Sequence, residues 1–285
     1  MSTVIRPPRD EDIPEVARLM SLHRPEPVDE DSVRRGWTSP GVEVEKDARL
    51  ASDAYAMVES FGDERVWIDL RGCPSAELAD WAEKRARELG TRLLSGAWSS
   101  HETLLHELER RGFRIIRHSH RMRIDLAEPV PEPVWPKGIA PRTYRPGDER
   151  VFYETQQETF ADSWEPIDET FDDWKHWMLQ PPAFVPDLWF LALAGDEPAG
   201  FAVCHPHPGR HELGWVRLLG VRRPWRRRGL GRALLLHAFG EFRRRGFSAA
   251  GLGVDATSLT GANRLYEGVG MRVAARFDIY EKAAE

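Results

Sequence analysis

The stretch from Leu219 to Arg232, Leu-Gly-Val-Arg-Arg-Pro-Trp-Arg-Arg-Arg-Gly-Leu-Gly-Arg, constrains the fold more than any other part of the chain. The apolar run Trp215 to Val221 reads as a strand, the arginine-rich segment as a loop, and the pattern from Gly229 onward as a helix. A strand that enters a helix this directly builds an α/β layer. It also leaves the first N–H groups of the helix without intrahelical partners. Those groups point outward at the positive end of the helix dipole and form an anion site. Gly229 and Gly231 remove Cβ atoms that would hold a phosphate off the backbone, and Arg222, Arg223, Arg226, Arg227 and Arg228 add positive charge. A solvated charged face or a nucleic-acid patch is the plainer reading of the arginines. The net charge of -6 argues against a chain built to coat nucleic acid.

At 285 residues the chain has room for about two domains. Pro129 to Lys137, Pro-Val-Pro-Glu-Pro-Val-Trp-Pro-Lys, forbids helix and favours extended geometry, so it reads as a linker between domains 1–128 and 138–285. The same order of elements is legible on both sides of it. In the first half these are a short strand at Val4-Ile5, a helix capped by Asp10 or Asp12, strands Ala54–Ser60 and Glu64–Leu70, a helix from Ser75 to Leu89, a strand Leu93–Trp98, a helix Glu102–Arg111 and a strand Phe113–Leu126. The second half has a strand Ile139–Tyr144, a turn and cap at Pro146-Gly147-Asp148, helices Arg150–Phe160 and within Asp162–Leu179, and a hairpin about Gly195-Asp196. The strand Glu212–Val221, the helix Gly229–Arg245, the strand Phe247–Val254, the helix Thr260–Val269 and the strand Met271–Glu281 follow. Arg6-Pro7 matches Arg145-Pro146, and Glu109 to Arg114 matches Glu267 to Arg272, which indicates a duplication.

Arg226-Arg227-Arg228-Gly229-Leu230-Gly231 resembles the (Gln/Arg)-x-x-Gly-x-(Gly/Ala) signature of the GNAT superfamily of acetyl-CoA-dependent N-acyltransferases. Asn263-Arg264-Leu265-Tyr266-Glu267, followed by Gly270-Met271, is similar to the family's second motif, and the tandem arrangement is similar to the mycothiol synthase-like group. The resemblance implies an α/β fold of two tandem domains, each a mixed, mostly antiparallel sheet flanked by helices. It implies that acetyl-CoA is the co-substrate, with its pyrophosphate on Arg226, Arg227, Arg228, Gly229, Leu230, Gly231 and Arg232 and its pantetheine arm along Leu219, Gly220 and Val221. Asn263 joins this set, and Tyr266 takes the role of general acid to the leaving thiolate. A packing role for Tyr266 and a surface role for Asn263 are the plainer alternatives.

Two features depart from the family pattern. Relatives place a Glu on the strand where this chain has Trp215, so the base is open among His205, His207, His211 and water, with Glu212 at an odd offset that points it to the other strand face. The acceptor is accordingly expected to differ from the mycothiol precursor. In the first half only Arg71-Gly72-Cys73-Pro74 precede the helix, and Leu108 stands where Tyr266 stands in the second. The expectation is a degenerate, non-catalytic first domain and one working site in the second. Asp162, Trp164, Glu165, Asp168, Glu169, Asp172, Asp173 and Trp174 form an acidic-aromatic stretch suited to a cationic amine, or equally an ordinary amphipathic helix.

The expected activity is transfer of acetyl from acetyl-CoA to a primary amine of a small molecule or peptide; a non-catalytic acyl-CoA sensor or scaffold is the alternative. No metal, nucleic-acid or membrane partner is expected. Two distant cysteines, a charged N-terminus and short apolar runs fit a cytoplasmic protein.

Overall fold

The computed structural model describes residues 4–61, 64–161, 169–180, 184–257 and 261–283. The chain forms two compact units, one of Met1–His120, Asp255–Thr257 and Ala275–Glu285, the other of Arg121–Val254 and Ser258–Ala274. The first repeat runs α1 (Ile13–Ser21), α2 (Glu30–Trp37), α3 (Val44–Asp47), β1 (Ala48–Leu50), β2 (Ala54–Ser60), β3 (Arg65–Gly72), α4 (Ala76–Leu89), β4 (Arg92–Trp98), α5 (Glu102–Arg110) and β5 (Arg114–Asp125). The second runs β6 (Ile139–Thr143), α6 (Glu149–Phe160), α7 (Phe171–Met178), β7 (Trp189–Ala194), β8 (Glu197–His207), β9 (Arg210–Val221), α8 (Leu230–Arg244), β10 (Ala249–Asp255), α9 (Ala262–Gly268) and β11 (Arg272–Ala283). Thr260, expected to open the last helix, lies outside the described residues. No helix among the described residues is long and apolar enough to cross a membrane.

Each unit has a mixed, mostly antiparallel sheet. In the first, β1–β2 and β2–β3 are antiparallel and β3–β4 parallel. In the second, β6–β7, β7–β8 and β8–β9 are antiparallel and β9–β10 parallel. Alternate residues of β7 and β8 are buried on opposite faces. Phe190 and Ala202 pack with Leu230, Leu234, Ala238 and Phe242 of α8, while Trp189, Leu191 and Phe201 pack with Phe152 of α6 and Trp174 of α7. A strand covered on both faces has no polar side, which is why Leu188 to Ala194 reads as an unbroken apolar run.

The duplication is visible in hydrogen bonds. Arg6 grips the Asp12 carboxylate with both terminal guanidinium nitrogens at 2.7 Å, and the same carboxylate accepts the Arg9 N–H at 2.7 Å. In the second unit Arg142 grips Asp148, which accepts the Arg145 N–H at 2.7 Å. The repeat is therefore Arg-x-x-Arg-x-x-Asp, and Arg6 corresponds to Arg142, three residues ahead of the Arg145-Pro146 match drawn from sequence. Neither aspartate caps its helix by side chain, because each carboxylate turns back to its arginine. At the other end, Phe113 N–H reaches Leu108 O at 3.0 Å and Met271 N–H reaches Tyr266 O at 3.1 Å, across left-handed Gly112 and Gly270. Leu108 and Tyr266 are thus equivalent positions.

The last strands do not stay with their own repeats. Within the first unit β4 pairs with β11, from Phe277↔Trp98 to Ala283↔Arg92. Residues Arg121–Asp125 of β5 belong to the second unit, where the following Leu126 N–H bonds Ser248 O at 2.8 Å. The proline run belongs there too, with Val130 and Trp135 against its core. A fragment ending at Glu128 lacks Tyr280, which is 2% exposed in the whole chain, and leaves β4 as an open edge. Losing that one buried aromatic costs about 3–5 kcal/mol. The fragment is expected to aggregate or to melt without a cooperative transition by circular dichroism, whereas the full chain melts cooperatively. A cooperative melt of the fragment would contradict the strand assignment.

Candidate active site

The site is built where β9 leaves β10. Parallel pairing matches Ala249–Leu252 with Leu213–Val216 and stops there, although β9 continues to Val221 and β10 to Asp255. On the other side, β8 pairs with β9 as far as Gly200↔Val221, but the register slips so that Val203 faces Leu218 and Cys204 faces Val216. Arg217 is the extra residue of this bulge. A bulge bends its strand and increases the local twist, so β9 turns away from β10 and the backbone from Leu218 to Val221 has no strand paired on that side among the described residues. Gly220 makes this possible on the opposite face. A Cβ there would meet Phe201 at 2.4 Å and the Thr159 hydroxyl at 2.5 Å, so α6 rests directly on the strand backbone.

The loop beyond β9 holds itself open. Arg222 is engaged by Glu158 at 2.6 Å and Glu197 at 3.3 Å. Arg226 turns inward and donates to Val221 O at 3.0 Å and Thr159 O at 3.4 Å. Arg232 donates to Gly268 O at 2.7 Å, which ties the start of α8 to the end of α9. These three arginines form the frame of the loop. Arg227 and Arg228 are exposed, Arg228 stacked over Trp225 at 5.2 Å. Arg227 and Gly229 both have left-handed backbones, at φ 61° and 84°. Left-handed residues within a turn bring successive N–H groups to one side and form an anion-binding concavity.

Gly229 opens α8 with no side-chain cap and no acidic residue in the first turn, so the Leu230, Gly231 and Arg232 N–H groups keep their positive field. A Cβ on Gly231 would come within 3.1 Å of Leu265 and 3.7 Å of Val221. The end of β9, the first turn of α8 and α9 therefore meet at that glycine.

Tyr266 sits on α9 among the residues that pack beneath α8, 8% exposed, and burial pushes its hydroxyl pKa up to about 12. Asn263, half-buried, lies one turn earlier on the same helix. Leu219, Val221, Leu265 and Tyr266 share one apolar cluster, so the strand end, loop and second motif singled out in the sequence converge.

The base candidates are placed differently. Glu212 is exposed and paired with Arg210 at 2.8 Å, and its own backbone N–H, then Arg210, hold its carboxyl low. His205 is buried, donates from Nδ1 to Pro206 O at 2.7 Å, and is the cross-strand partner of Trp215. His207 stands edge-on to Trp215 at 5.4 Å and accepts the Gly209 N–H at Nδ1. His211 is exposed. In the acidic-aromatic stretch Asp162, Trp164, Glu165 and Asp168 lie outside the described residues. Trp174 is a core residue, fully buried, and Asp172 faces solvent beside Lys175. Gln156, Thr159 and Arg217 are neighbours of the site that the sequence did not single out.

In the first unit the parallel pairing of β3 and β4 also stops early, at Ile68↔Ser95, while β3 continues to Gly72. What differs is the connection. Only Cys73, Pro74 and Ser75 separate β3 from α4, and the Ser75 hydroxyl accepts the Leu78 N–H at 3.2 Å. Glu77 adds a carboxylate to that first turn. The helix end that is open in the second unit is capped by the chain itself in the first.

This fold defines an α/β acyltransferase, and comparison with known proteins agrees. The family model described as the acetyltransferase (GNAT) family matches residues 150–271. A mycothiol acetyltransferase of Thermobispora bispora is 34% identical over 229 residues, 73% of this chain and 77% of that protein. Another, of Streptomyces bingchenggensis, is 35% identical over 175 residues, and the match spans 60% of this chain and 56% of that one. The structure of a GCN5-related N-acetyltransferase from Sphaerobacter thermophilus superposes with TM-score 0.82 at 32% identity, covering 99% of this chain and 95% of that one. A tandem GNAT protein from the clavulanic acid biosynthesis pathway shares the fold over 100% of this chain and 99% of its own, with TM-score 0.76 at 15% identity. The chain belongs to the GNAT acetyltransferase family.

Proposed function

We propose that the second unit transfers an acetyl group from acetyl-CoA to a primary amine of a small molecule or peptide. The observation that carries this is the uncapped, glycine-opened start of α8 at the end of a strand that has no strand paired on its β10 side there among the described residues. The N–H groups of Leu230, Gly231 and Arg232 with Arg227 and Arg228 fit a pyrophosphate, and Arg226 and Arg232 keep that cradle in shape. The strand edge from Leu219 to Val221, where the Val221 carbonyl accepts from Arg226, fits an extended amide-bearing arm, which adds to the sheet by main-chain hydrogen bonds. A backbone N–H on that edge steadies the negative charge that develops on the thioester oxygen. Asn263 belongs to the same binding set, and Tyr266 supplies the proton to the departing thiolate. The thioester itself brings an activated acyl carbon.

We assign the first repeat, 1–128, a non-catalytic role, since Ser75 and Glu77 occupy its anion position. The exposed thiol of Cys73 suits a reducing, cytoplasmic setting.

The test is thiol release from acetyl-CoA against a panel of amines, with aminoglycosides, polyamines, amino acids, peptides and a mycothiol-related amine, the last prompted by the names of the relatives. Release that depends on one class of amine is the expected result. Acetyl-CoA binding with no turnover on any amine would favour a sensor or scaffold, the reading that Trp215 in place of a strand carboxylate supports.

A further inference from the structure

We infer that Glu169, in the segment leading into α7, is the group that takes the proton from the attacking amine. This rests on the acetyltransferase reading and names the residue that the strand does not supply.

The strand position suited to a carboxylate holds Trp215, which has Arg121 over its ring at 5.0 Å and His207 edge-on. The face that this strand presents to α6 and α7 is nevertheless not without an acid. Leu219 and Val221 pack toward α8, whereas Leu218 packs into the cluster of Phe152 and Trp174, and Gly220 lies against Thr159. Glu169 stands on that α6–α7 side. Its carboxylate accepts the Gln156 side-chain N–H at 3.0 Å. The Gln156 amide is itself oriented, because its oxygen accepts the buried Trp174 indole N–H at 2.8 Å and so leaves the nitrogen toward Glu169. The Glu169 main chain is pinned as well, its carbonyl accepting the Tyr153 hydroxyl at 2.8 Å. A half-buried carboxylate held at both ends, with Gln156 as its one side-chain donor among the described residues, keeps lone pairs free for an ammonium.

Its position along α6 brings it to the chemistry. Gln156 and Thr159 are successive positions on one helix face, with Thr159 Oγ1 donating to Gln156 O at 3.2 Å. Thr159 is the residue against Gly220. Gln156, which holds the carboxylate, is therefore about one helical turn, ~5 Å, along α6 from Thr159, the residue at the strand end. The charged groups that act on it are Arg217 from the β9 bulge and Asp173 from α7, with Gln156 from α6. Burial raises its proton affinity most, Gln156 and then Arg217 pull it down, and Asp173 pushes it up, leaving the carboxyl above its ordinary value. A base is most useful when its pKa approaches the working pH.

The step balances. An ammonium N–H proton passes to a Glu169 oxygen, and the freed nitrogen lone pair forms the bond to the thioester carbon. The carbon–sulfur bond breaks with its electron pair on sulfur, and the Tyr266 hydroxyl proton goes to that sulfur. The second N–H proton, lost as the amide forms, restores Tyr266 through solvent, and Glu169 returns its own proton to solvent.

The test compares wild type, Glu169→Gln and Glu169→Asp, with acetyl-CoA and the panel amine that gives the fastest release. Glu169→Gln is expected to lose about 100-fold in kcat/KM for the amine, with the KM for acetyl-CoA and the melting-temperature rise on acetyl-CoA unchanged. The deficit should be larger at pH 6 than at pH 9, where more of the amine is already neutral, and Glu169→Asp should recover part of the rate. Glu169→Gln within ~2-fold of wild type at both pH values, or a loss independent of pH, overturns the assignment. So does loss of the acetyl-CoA response along with the rate, which marks a structural role. A wild type that responds to acetyl-CoA but releases no thiol with any amine overturns the acetyltransferase reading itself, and is told apart because it requires no variant.

Discussion

Gly229→Asp is expected to abolish the rise in melting temperature that acetyl-CoA gives the wild-type chain. Gly229 has φ 84°, and a Cβ added there would meet nothing within 4 Å, so the new side chain has room. Aspartate tolerates left-handed backbone better than most residues, at roughly 1 kcal/mol. Ser75 caps α4 from extended backbone, whereas an aspartate at the left-handed position 229 would set a carboxylate beside the free N–H groups of α8 and place negative charge at the positive end of the helix. The apo protein is thus expected to melt within a few degrees of wild type, while the anion site is filled from within. A ligand at 100 times its Kd stabilises by about 2.7 kcal/mol, which for a unit of this size is about 5–10 °C. That shift should vanish in differential scanning fluorimetry, and adding Arg226→Ala should not restore it, since that change cuts links that hold the loop to Val221 and Thr159. A Gly229→Asp protein that keeps the full shift would place the cofactor elsewhere.

The same comparison of Gly229 with Ser75 marks how far the sequence could be read. The order of strands and helices was legible because apolar runs are bounded by Gly90, Gly112, Gly246 and Gly270, local signals that act on their own neighbours. The missing loop at Cys73 was legible for the same reason. Three features were not. The bulge at Arg217 and the parting of β9 from β10 are properties of strand register, which no single strand carries. The pairing of β4 with β11 was hidden because β5 and β11 follow the same kind of helix, the same left-handed glycine and a similar alternation, so either could sit beside β4. The direction of each arginine was hidden as well. A run of like charges says that an anion is welcome, yet Arg222, Arg226 and Arg232 are taken up by Glu158, by Val221 O with Thr159 O, and by Gly268 O. Matching the repeats on Arg-Pro pairs put the register three residues off, because the feature that is repeated in space is a guanidinium gripping an aspartate six residues on.

Tyr266→Phe is expected to keep acetyl-CoA binding and lose turnover. The substitution removes one oxygen and preserves the volume that the ring fills beneath α8, so the core cost stays below about 1.5 kcal/mol and the acetyl-CoA melting shift should remain. If the hydroxyl is the proton donor to sulfur, kcat should fall by about 10²–10⁴ with little change in KM for either substrate. Burial puts the Tyr266 pKa at about 12, so raising the pH from 7 to 10 leaves its proton in place, and the wild-type rate should show no alkaline fall belonging to this tyrosine. A leaving group that needs no proton supplies the internal control. An aryl thioester, whose thiolate is stable at neutral pH, should lose much less rate in Tyr266→Phe than acetyl-CoA does, because the missing donor is no longer needed. Equal losses with both donors would mean that the ring positions the site rather than protonating sulfur, and unchanged turnover with acetyl-CoA would return Tyr266 to the role that Leu108 has at the equivalent position, a packing residue at the end of a short helix.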